Sequence, residues 1–332
     1  MRSIRPRDLM LELKANALAG ENSMIWGSPG IGKSEIVYQL AQELGADLYE
    51  LRANLFDPVD VRGGLKVVEQ ENGTFKTCYG IPEDYPPSET MKPVVFFIDE
   101  LTTASKATQA ALLQLLLNRR IGTYKLPVNT VIVAAGNRAR DRAAVHEMPM
   151  PVKDRFDHFT LEPNADDFCA HALQNDVDPS IVGFIRYRPQ LLNDPDAANN
   201  AFPTPRSWTR LSNKLPHMQD EFYGIASKVG DGAAGEFLAF RKMFHQLPDI
   251  DKIIANPGTV SVPLEPSQIY AVASALAARA DITTVKPILK YLRRLAPEYQ
   301  VVAVSDIIGK DKKLITNTEV QLWITDNSSV VL

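Results

Sequence analysis

Gly27-Ser28-Pro29-Gly30-Ile31-Gly32-Lys33-Ser34 is an uninterrupted instance of the phosphate-cradling pattern G-x-x-x-x-G-K-[ST]. Its glycines free the backbone to turn N–H groups toward a polyphosphate. Lys33 has the reach for the outer phosphates, and the Ser34 hydroxyl is placed to hold Mg²⁺. The flanks agree. Ser23-Met24-Ile25-Trp26 is a short apolar run, and Ile36, Val37, Leu40, Ala41 and Leu44 recur at helical spacing behind the loop, so strand, loop and helix are predicted in that order. The start of that helix adds partial positive charge behind the phosphates. The stretch reads as a nucleotide site; the competing reading is a glycine-rich turn with no ligand.

Two further strand ends belong beside it. Val94-Val95-Phe96-Phe97-Ile98-Asp99-Glu100 is a continuous apolar run closed by two carboxylates, the pattern of a central strand buried on both faces. Ligands of open α/β sheets bind outside the carboxyl ends of the strands, which brings Asp99 and Glu100 toward the glycine loop. One carboxylate can hold Mg²⁺ while the next orients or activates an attacking water. Residues 130–135 form the next buried strand and run into Gly136-Asn137, where a polar amide can hold that water or feel the γ-phosphate. The plainer alternatives are a helix-start cap for the acidic pair and a turn residue for Asn137.

The whole chain has 332 residues, 45% hydrophobic and 23% charged, enough for about two globular domains. No apolar run approaches the roughly 18 residues of a membrane span. The basic N-terminus is followed by Asp8, Glu12 and Lys14 rather than by an apolar signal segment, so a cytoplasmic protein is expected. Cys78 and Cys169 are too few for a disulfide framework or a cysteine zinc site and are expected to be small buried residues. A net charge of −4 argues against nonspecific nucleic-acid binding by the whole surface and leaves a local basic groove open.

Between these motifs, residues 46–51 read as a strand. Residues 65–70 and 74–79 flank Glu71-Asn72-Gly73 as a hairpin inserted between core elements. Residues 105–120 read as a helix whose Arg119-Arg120 suits a negative C-terminal end. Arg138, Arg140, Arg142 and Arg155 follow, the last in Asp154-Arg155-Phe156 just before a strand at 158–161. From residue 164 the pattern turns helical, with candidates at 166–173, 179–187, 206–215, 233–244 and 268–295. The expected organisation is α/β: a core with a central parallel sheet over 1–162, its hairpin insertion at about 65–79, and a mainly helical part over 163–332.

Taken together these residues resemble AAA+ ATPases of the MoxR type, in the branch that also contains dynein-like and midasin-like rings. Residues 27–34 look like Walker A, and Phe96-Phe97-Ile98-Asp99-Glu100 like Walker B. Ala134-Ala135-Gly136-Asn137-Arg138 resembles the sensor-1 strand end. Met148-Pro149-Met150-Pro151 through Asp154-Arg155-Phe156 resembles the segment bearing the arginine finger. Phe202-Pro203-Thr204-Pro205-Arg206-Ser207-Trp208 resembles the start of the lid helix with sensor 2, which nominates Arg206. The hairpin falls where such proteins carry an insertion in the second core helix.

The resemblance implies a P-loop AAA+ core followed by a helical lid. It implies ATP bound by residues 27–34 and Asp99, Mg²⁺ held by Ser34 and Asp99, and Glu100, Asn137, Arg155 and Arg206 acting in hydrolysis. It further implies a hexameric ring that remodels a protein partner, chaperone-like, often with a von Willebrand A-type partner. The approach to the finger, Pro151-Val152-Lys153-Asp154, departs from the family pattern and leaves Arg138, Arg140 and Arg142 as alternatives. Two other classes stay open. One is a clamp-loader or helicase type of machine on nucleic acid, for which only Phe75, Lys76 and Tyr79 offer channel-lining candidates. The other is a nucleotide-gated scaffold with little turnover, against which Glu100 and Asn137 argue.

Overall fold

Side chains alternate across a strand, so an apolar run without polar interruption has to be covered on both sides. The computed structural model, which describes residues 2–138, 141, 146–195 and 199–327, meets that requirement with a six-stranded sheet. The strands of the chain are β1 (Ser3–Ile4), β2 (Ser23–Trp26), β3 (Asp47–Arg52), β4 (Leu65–Glu69), β5 (Phe75–Tyr79), β6 (Val94–Asp99), β7 (Arg120–Ile121), β8 (Tyr124–Lys125), β9 (Thr130–Gly136) and β10 (Asp157–Leu161). The sheet order is β1-β10-β2-β9-β6-β3, and every neighbouring pair is parallel.

Met24, Phe96, Ile98, Ile132 and Ala134 point to one face and pack with Leu112, Leu115 and Leu116 of α4 (Lys106–Asn118). Ile25, Val95, Phe97, Val133 and Ala135 point to the other, against Leu9 and Leu13 of α1 (Pro6–Ala19) and Val37 and Leu40 of α2 (Lys33–Leu44). The short helices α3 (Pro58–Arg62) and α5 (Met150–Lys153) complete this unit, which runs from Met1 to Glu162. The fold class is the expected one, an α/β core with a central parallel sheet.

β4 and β5 pair antiparallel, with Leu65 opposite Tyr79 and Glu69 opposite Phe75, around Gly73 at φ 77°. That left-handed backbone is one a glycine adopts without strain. Leu65, Val67, Phe75 and Tyr79 share one side of the hairpin, and all four are exposed. Cys78, expected to be buried, is only half-buried, because the hairpin has no layer packed over it among the described residues; Cys169 is fully buried. Arg119 also departs from expectation. It ends α4 at φ 52°, and its guanidinium donates to Thr130 O (2.9 Å) and Gly20 O (3.0 Å) instead of to the carbonyls of its own helix end.

The second unit, Pro163–Leu332, is helical among its described residues. It contains α6 (Ala165–Gln174), α7 (Pro179–Tyr187), α8 (Pro205–Lys214), α9 (Glu221–Val229), α10 (Asp231–Phe244), α11 (Ile250–Ala255), α12 (Pro266–Ala278), α13 (Val285–Leu292), α14 (Pro297–Lys310) and α15 (Thr318–Asp326). Phe184, Trp208 and Phe237 meet at its centre with ring centroids 5.2–5.5 Å apart. Arg186 of α7 is buried between Asp306 of α14 and Asp166 of α6, and burial pushes the Asp306 carboxyl up against the opposing pull of Arg186.

The single helix expected at 268–295 is instead two. Asp281 accepts from the N–H groups of Thr283 (2.7 Å) and Thr284 (2.8 Å), and this local turn competes with helical pairing and separates α12 from α13. The Thr283 hydroxyl and these N–H groups hold the Asp281 carboxyl down to about 2. No helix among the described residues is long and apolar enough to cross a membrane.

Candidate nucleotide site

Because every strand of the sheet is parallel, the carboxyl ends lie along one edge. The register places Trp26 beside Gly136 and Ile98 beside Ala134. The glycine loop after β2, Asn137 after β9 and the Asp99-Glu100 pair ending β6 therefore come together on three adjacent strands, as the sequence pattern anticipates. Close packing at the middle tip leaves room only for glycine. A Cβ on Gly136 would stand 2.5 Å from Thr102 Cγ2 and 2.8 Å from Met24 Cε.

Within the loop, Gly30 and Gly32 take φ of 81° and 100°, and a Cβ on Gly32 would point into open space. The requirement there is conformational rather than steric. Lys33, first residue of α2 and buried, donates to Gly27 O (2.7 Å), Ser28 O (3.1 Å) and Asn137 Oδ1 (2.9 Å). The Asn137 amide uses its other end on Glu100, with Nδ2 donating to Oε2 at 3.0 Å. An ammonium only donates and a carboxylate only accepts, so these two partners fix which way the amide points. One buried side chain thus joins the loop lysine to the second carboxylate.

Glu100 has φ 53°, left-handed for a residue with a Cβ, a conformation that costs about 1–2 kcal/mol. Four contacts hold it there. Its N–H donates to Asp99 Oδ1 (2.8 Å), the Thr103 N–H and hydroxyl donate to its carbonyl (3.0 and 2.9 Å), and the same hydroxyl reaches Oε2 at 3.3 Å. Strain of this kind concentrates at functional sites. The Ser34 hydroxyl donates to Asp99 Oδ2 at 3.4 Å. Burial raises the Asp99 carboxyl, opposed by the Glu100 N–H, with Glu100 and Glu50 adding to the rise. A hydroxyl and a desolvated carboxylate side by side are the hard oxygen donors that a magnesium ion takes, so the pair fits the expected cation. Among the described residues no group of three or more His, Cys, Asp and Glu forms an alternative metal site.

Part of the site was not anticipated. The Arg138 guanidinium donates to Asp141 through Nε and Nη2 (both 3.0 Å) and to Ser28 Oγ (2.7 Å), and Ser28 Oγ in turn donates to Asp141 Oδ1 (2.9 Å). Burial raises the Asp141 carboxyl, but the Arg138 and Ser28 hydrogen bonds outweigh it and hold the group below the ordinary range. Thr102 also belongs here, its hydroxyl accepting the Asn137 N–H at 2.9 Å. Arg138 and Asp141 stand three residues apart, a spacing that sequence alone does not single out here.

The other described arginine candidates are each placed within their own unit. Arg155 precedes β10 at the amino edge of the sheet, where Asp157 pairs with Ser23, so roughly 13 Å of strand separates it from the loop after β2. Its side chain is 37% exposed and its guanidinium pairs with Asp154 at 3.2 Å. Arg206 is exposed in the first turn of α8, whose start is fixed by the reciprocal bonds of Thr204 and Ser207. Arg138 is engaged with Asp141 and with Ser28 of the glycine loop. Arg140 and Arg142 lie outside the described residues.

The MoxR domain of MoxR-vWA-beta-propeller ternary systems is a family whose model matches residues 4–175, just over half of the chain. Comparison with curated proteins gives no match. Among solved structures, the Thermotoga maritima RuvB Holliday junction branch migration motor is 16% identical, with 85% of each chain covered and a TM-score of 0.40. NtrX from Brucella abortus in complex with ATP is 12% identical, with 98% of this chain and 68% of that one covered and a TM-score of 0.38. With the family match spanning the loop, both carboxylates and Asn137, the chain belongs to the MoxR family of AAA+ ATPases.

Proposed function

We propose that this protein binds ATP with Mg²⁺ at the loop 27–34, hydrolyses it, and works as a hexameric, chaperone-like ring that remodels a protein partner. The observation that carries the reading is the Asn137 amide, joined at one end to Lys33 and at the other to Glu100. Lys33 and the loop N–H groups hold the phosphates, while Glu100 takes up or orients the attacking water. Asn137 ties the two together, so that phosphate position and water position are set by one side chain. Ser34 and Asp99 would hold Mg²⁺, which when bound neutralises charge on the phosphoryl oxygens.

Arg155 is assigned to the neighbouring subunit's nucleotide. It stands at the opposite edge of the sheet from its own loop, and an arginine supplied in trans contributes roughly 10³–10⁵ in rate. Arg206 acts within its own chain, joining the helical unit to the nucleotide. The family description sets the MoxR domain beside vWA and beta-propeller proteins, which supports a von Willebrand A-type partner.

The test is a mixing experiment. Lys33→Ala subunits, inactive but carrying Arg155, restore turnover to Arg155→Ala subunits and do not restore it to Arg206→Ala subunits. Activity per wild-type subunit rises with protein concentration as subunits meet. Failure to restore Arg155→Ala, or activity independent of concentration down to a demonstrated monomer, overturns the trans assignment. Capture of a protein partner by Glu100→Gln in ATP tests remodelling, and capture of nucleic acid alone points to the other machine class.

A further inference from the structure

The turn Lys153-Asp154-Arg155 is held by its carbonyls, and both holds come from the ends of β2. Just before β2, the Asn22 amide donates to Arg155 O at 3.0 Å. At its far end, Trp26 Nε1 donates to His158 Nδ1 at 2.9 Å, and His158 Nε2 lies 2.9 Å from Lys153 O. An indole N–H can only donate, so Nδ1 is the acceptor, the ring proton sits on Nε2, and Nε2 donates to the carbonyl. The imidazole is in ring contact with Trp26 (centroids 5.9 Å apart) and with Phe156 (6.4 Å). Trp26 is the residue immediately before Gly27.

The Arg155 side chain has few constraints of its own. Its head pairs with the exposed Asp154, and Nε has no hydrogen-bond partner among the described residues. Nε is also buried, so where the guanidinium goes is decided by the backbone and packing of the turn together rather than by hydrogen bonds deep in the protein. We propose that His158 is a positioning residue, which with Trp26 ties the Arg155 turn to the strand carrying the glycine loop, so that each subunit presents Arg155 to its neighbour in a geometry set by its own β2. This rests on the reading of Arg155 as a residue acting in trans. Misplacing a catalytic group by 1 Å can cost about a hundredfold in rate, so loss of the tie should lower turnover by tenfold to about a hundredfold. ATP affinity should stay within about threefold of wild type, because neither ring belongs to the residues assigned to the nucleotide.

Two substitutions separate the roles. His158→Phe keeps a ring beside Trp26 and Phe156 but removes both hydrogen bonds, whereas His158→Gln can still accept with one end and donate with the other. Each is built into a Lys33→Ala subunit and mixed with Arg155→Ala subunits, with phosphate release as the readout. The parent Lys33→Ala donor restores turnover, the donor with His158→Phe restores at least tenfold less, and the donor with His158→Gln recovers most of the difference. Equal restoration by the His158→Phe donor overturns the proposal alone. Failure of the parent donor overturns the trans reading, and this proposal with it.

ATP affinity and thermal midpoint are measured in the Lys33-intact versions. A loss of ATP affinity parallel to the loss of turnover would mark His158 as merely structural and overturn the proposal. If His158→Phe does not fold, Trp26→Phe removes the indole donor alone and is expected to lower the restoring power of its donor in the same direction. Full restoring power in that variant counts against the tie.

Discussion

Replacing Asn137 by alanine tests the junction between phosphate and water. The amide is 5% exposed and makes two hydrogen bonds to charged groups, at 2.9 Å from the Lys33 ammonium and 3.0 Å to the Glu100 carboxylate. Bonds of that kind contribute about 1.5–3 kcal/mol each, which sets an upper bound near 6 kcal/mol. The observed loss should be well below it. Lys33 keeps the Gly27 and Ser28 carbonyls, and Glu100 keeps the Thr103 hydroxyl. Neither charge is stranded, so the destabilisation expected is about 2 kcal/mol rather than the 3–5 kcal/mol of a broken buried pair. Turnover should fall further, by about 10²–10³, the usual cost of removing one preorganised polar group from a reacting centre. ATP affinity should change less than about threefold, since the loop and Lys33 remain. Urea unfolding, fluorescent-ATP binding and phosphate release at saturating ATP measure the three quantities. Turnover within threefold of wild type, alongside the expected loss of stability, would reduce Asn137 to a strand-end cap.

Gly136→Ala places a Cβ within 2.7 Å of Thr102 Oγ1, the acceptor for the Asn137 N–H, and should cost about 1–3 kcal/mol of stability while lowering turnover; urea unfolding as in wild type would show that the strand tip is looser than described. Phe75 is 71% exposed, so Phe75→Ser should change stability by less than about 0.5 kcal/mol and leave the ATPase rate alone, while weakening partner capture by Glu100→Gln. This follows if the exposed apolar side of the hairpin, formed by Leu65, Val67, Phe75 and Tyr79, docks the partner, and unchanged capture removes that role. Asp281→Ala should cost about 1 kcal/mol at neutral pH, the ordinary net worth of the turn hydrogen bonds it removes. The folded carboxyl titrates near 2, below its ordinary value, so its contribution is complete above the ordinary value and is lost as pH falls through 2. Urea unfolding across that range checks it, and a difference from wild type that stays constant down to pH 2 contradicts it.

Much of the first unit was legible because parallel strands buried on both faces leave continuous apolar runs, and the polar residues that end them mark the carboxyl edge of the sheet. That signal located Asp99, Glu100 and Asn137, and the glycine loop with its helix needed no more than local pattern. What sequence did not reveal depends on contacts between distant segments. The closed set of Ser28, Arg138 and Asp141 exists only once the loop after β9 folds back on the loop after β2. The tie through His158 needs the register of β10 on β2. Helix α1 escaped notice because Leu11 and Leu18 are exposed beside the buried Leu9 and Leu13, which blurs the apolar stripe. Its Pro6 start and Gly20 end, with Gly20 left-handed at φ 76°, were the available signal. The break at Asp281 was masked by apolar residues on both sides of one short polar turn.

The most direct measurement of the central claim compares ATP binding and phosphate release in wild type, Lys33→Ala and Glu100→Gln under one set of conditions. On the proposed roles, phosphate contact for Lys33 and water activation for Glu100, Lys33→Ala loses both properties. Glu100→Gln should bind ATP with near wild-type affinity and release phosphate at least a hundredfold more slowly, as loss of a general base worth about 10²–10⁴ requires. Wild-type ATP affinity in Lys33→Ala, or wild-type phosphate release in Glu100→Gln, would contradict it.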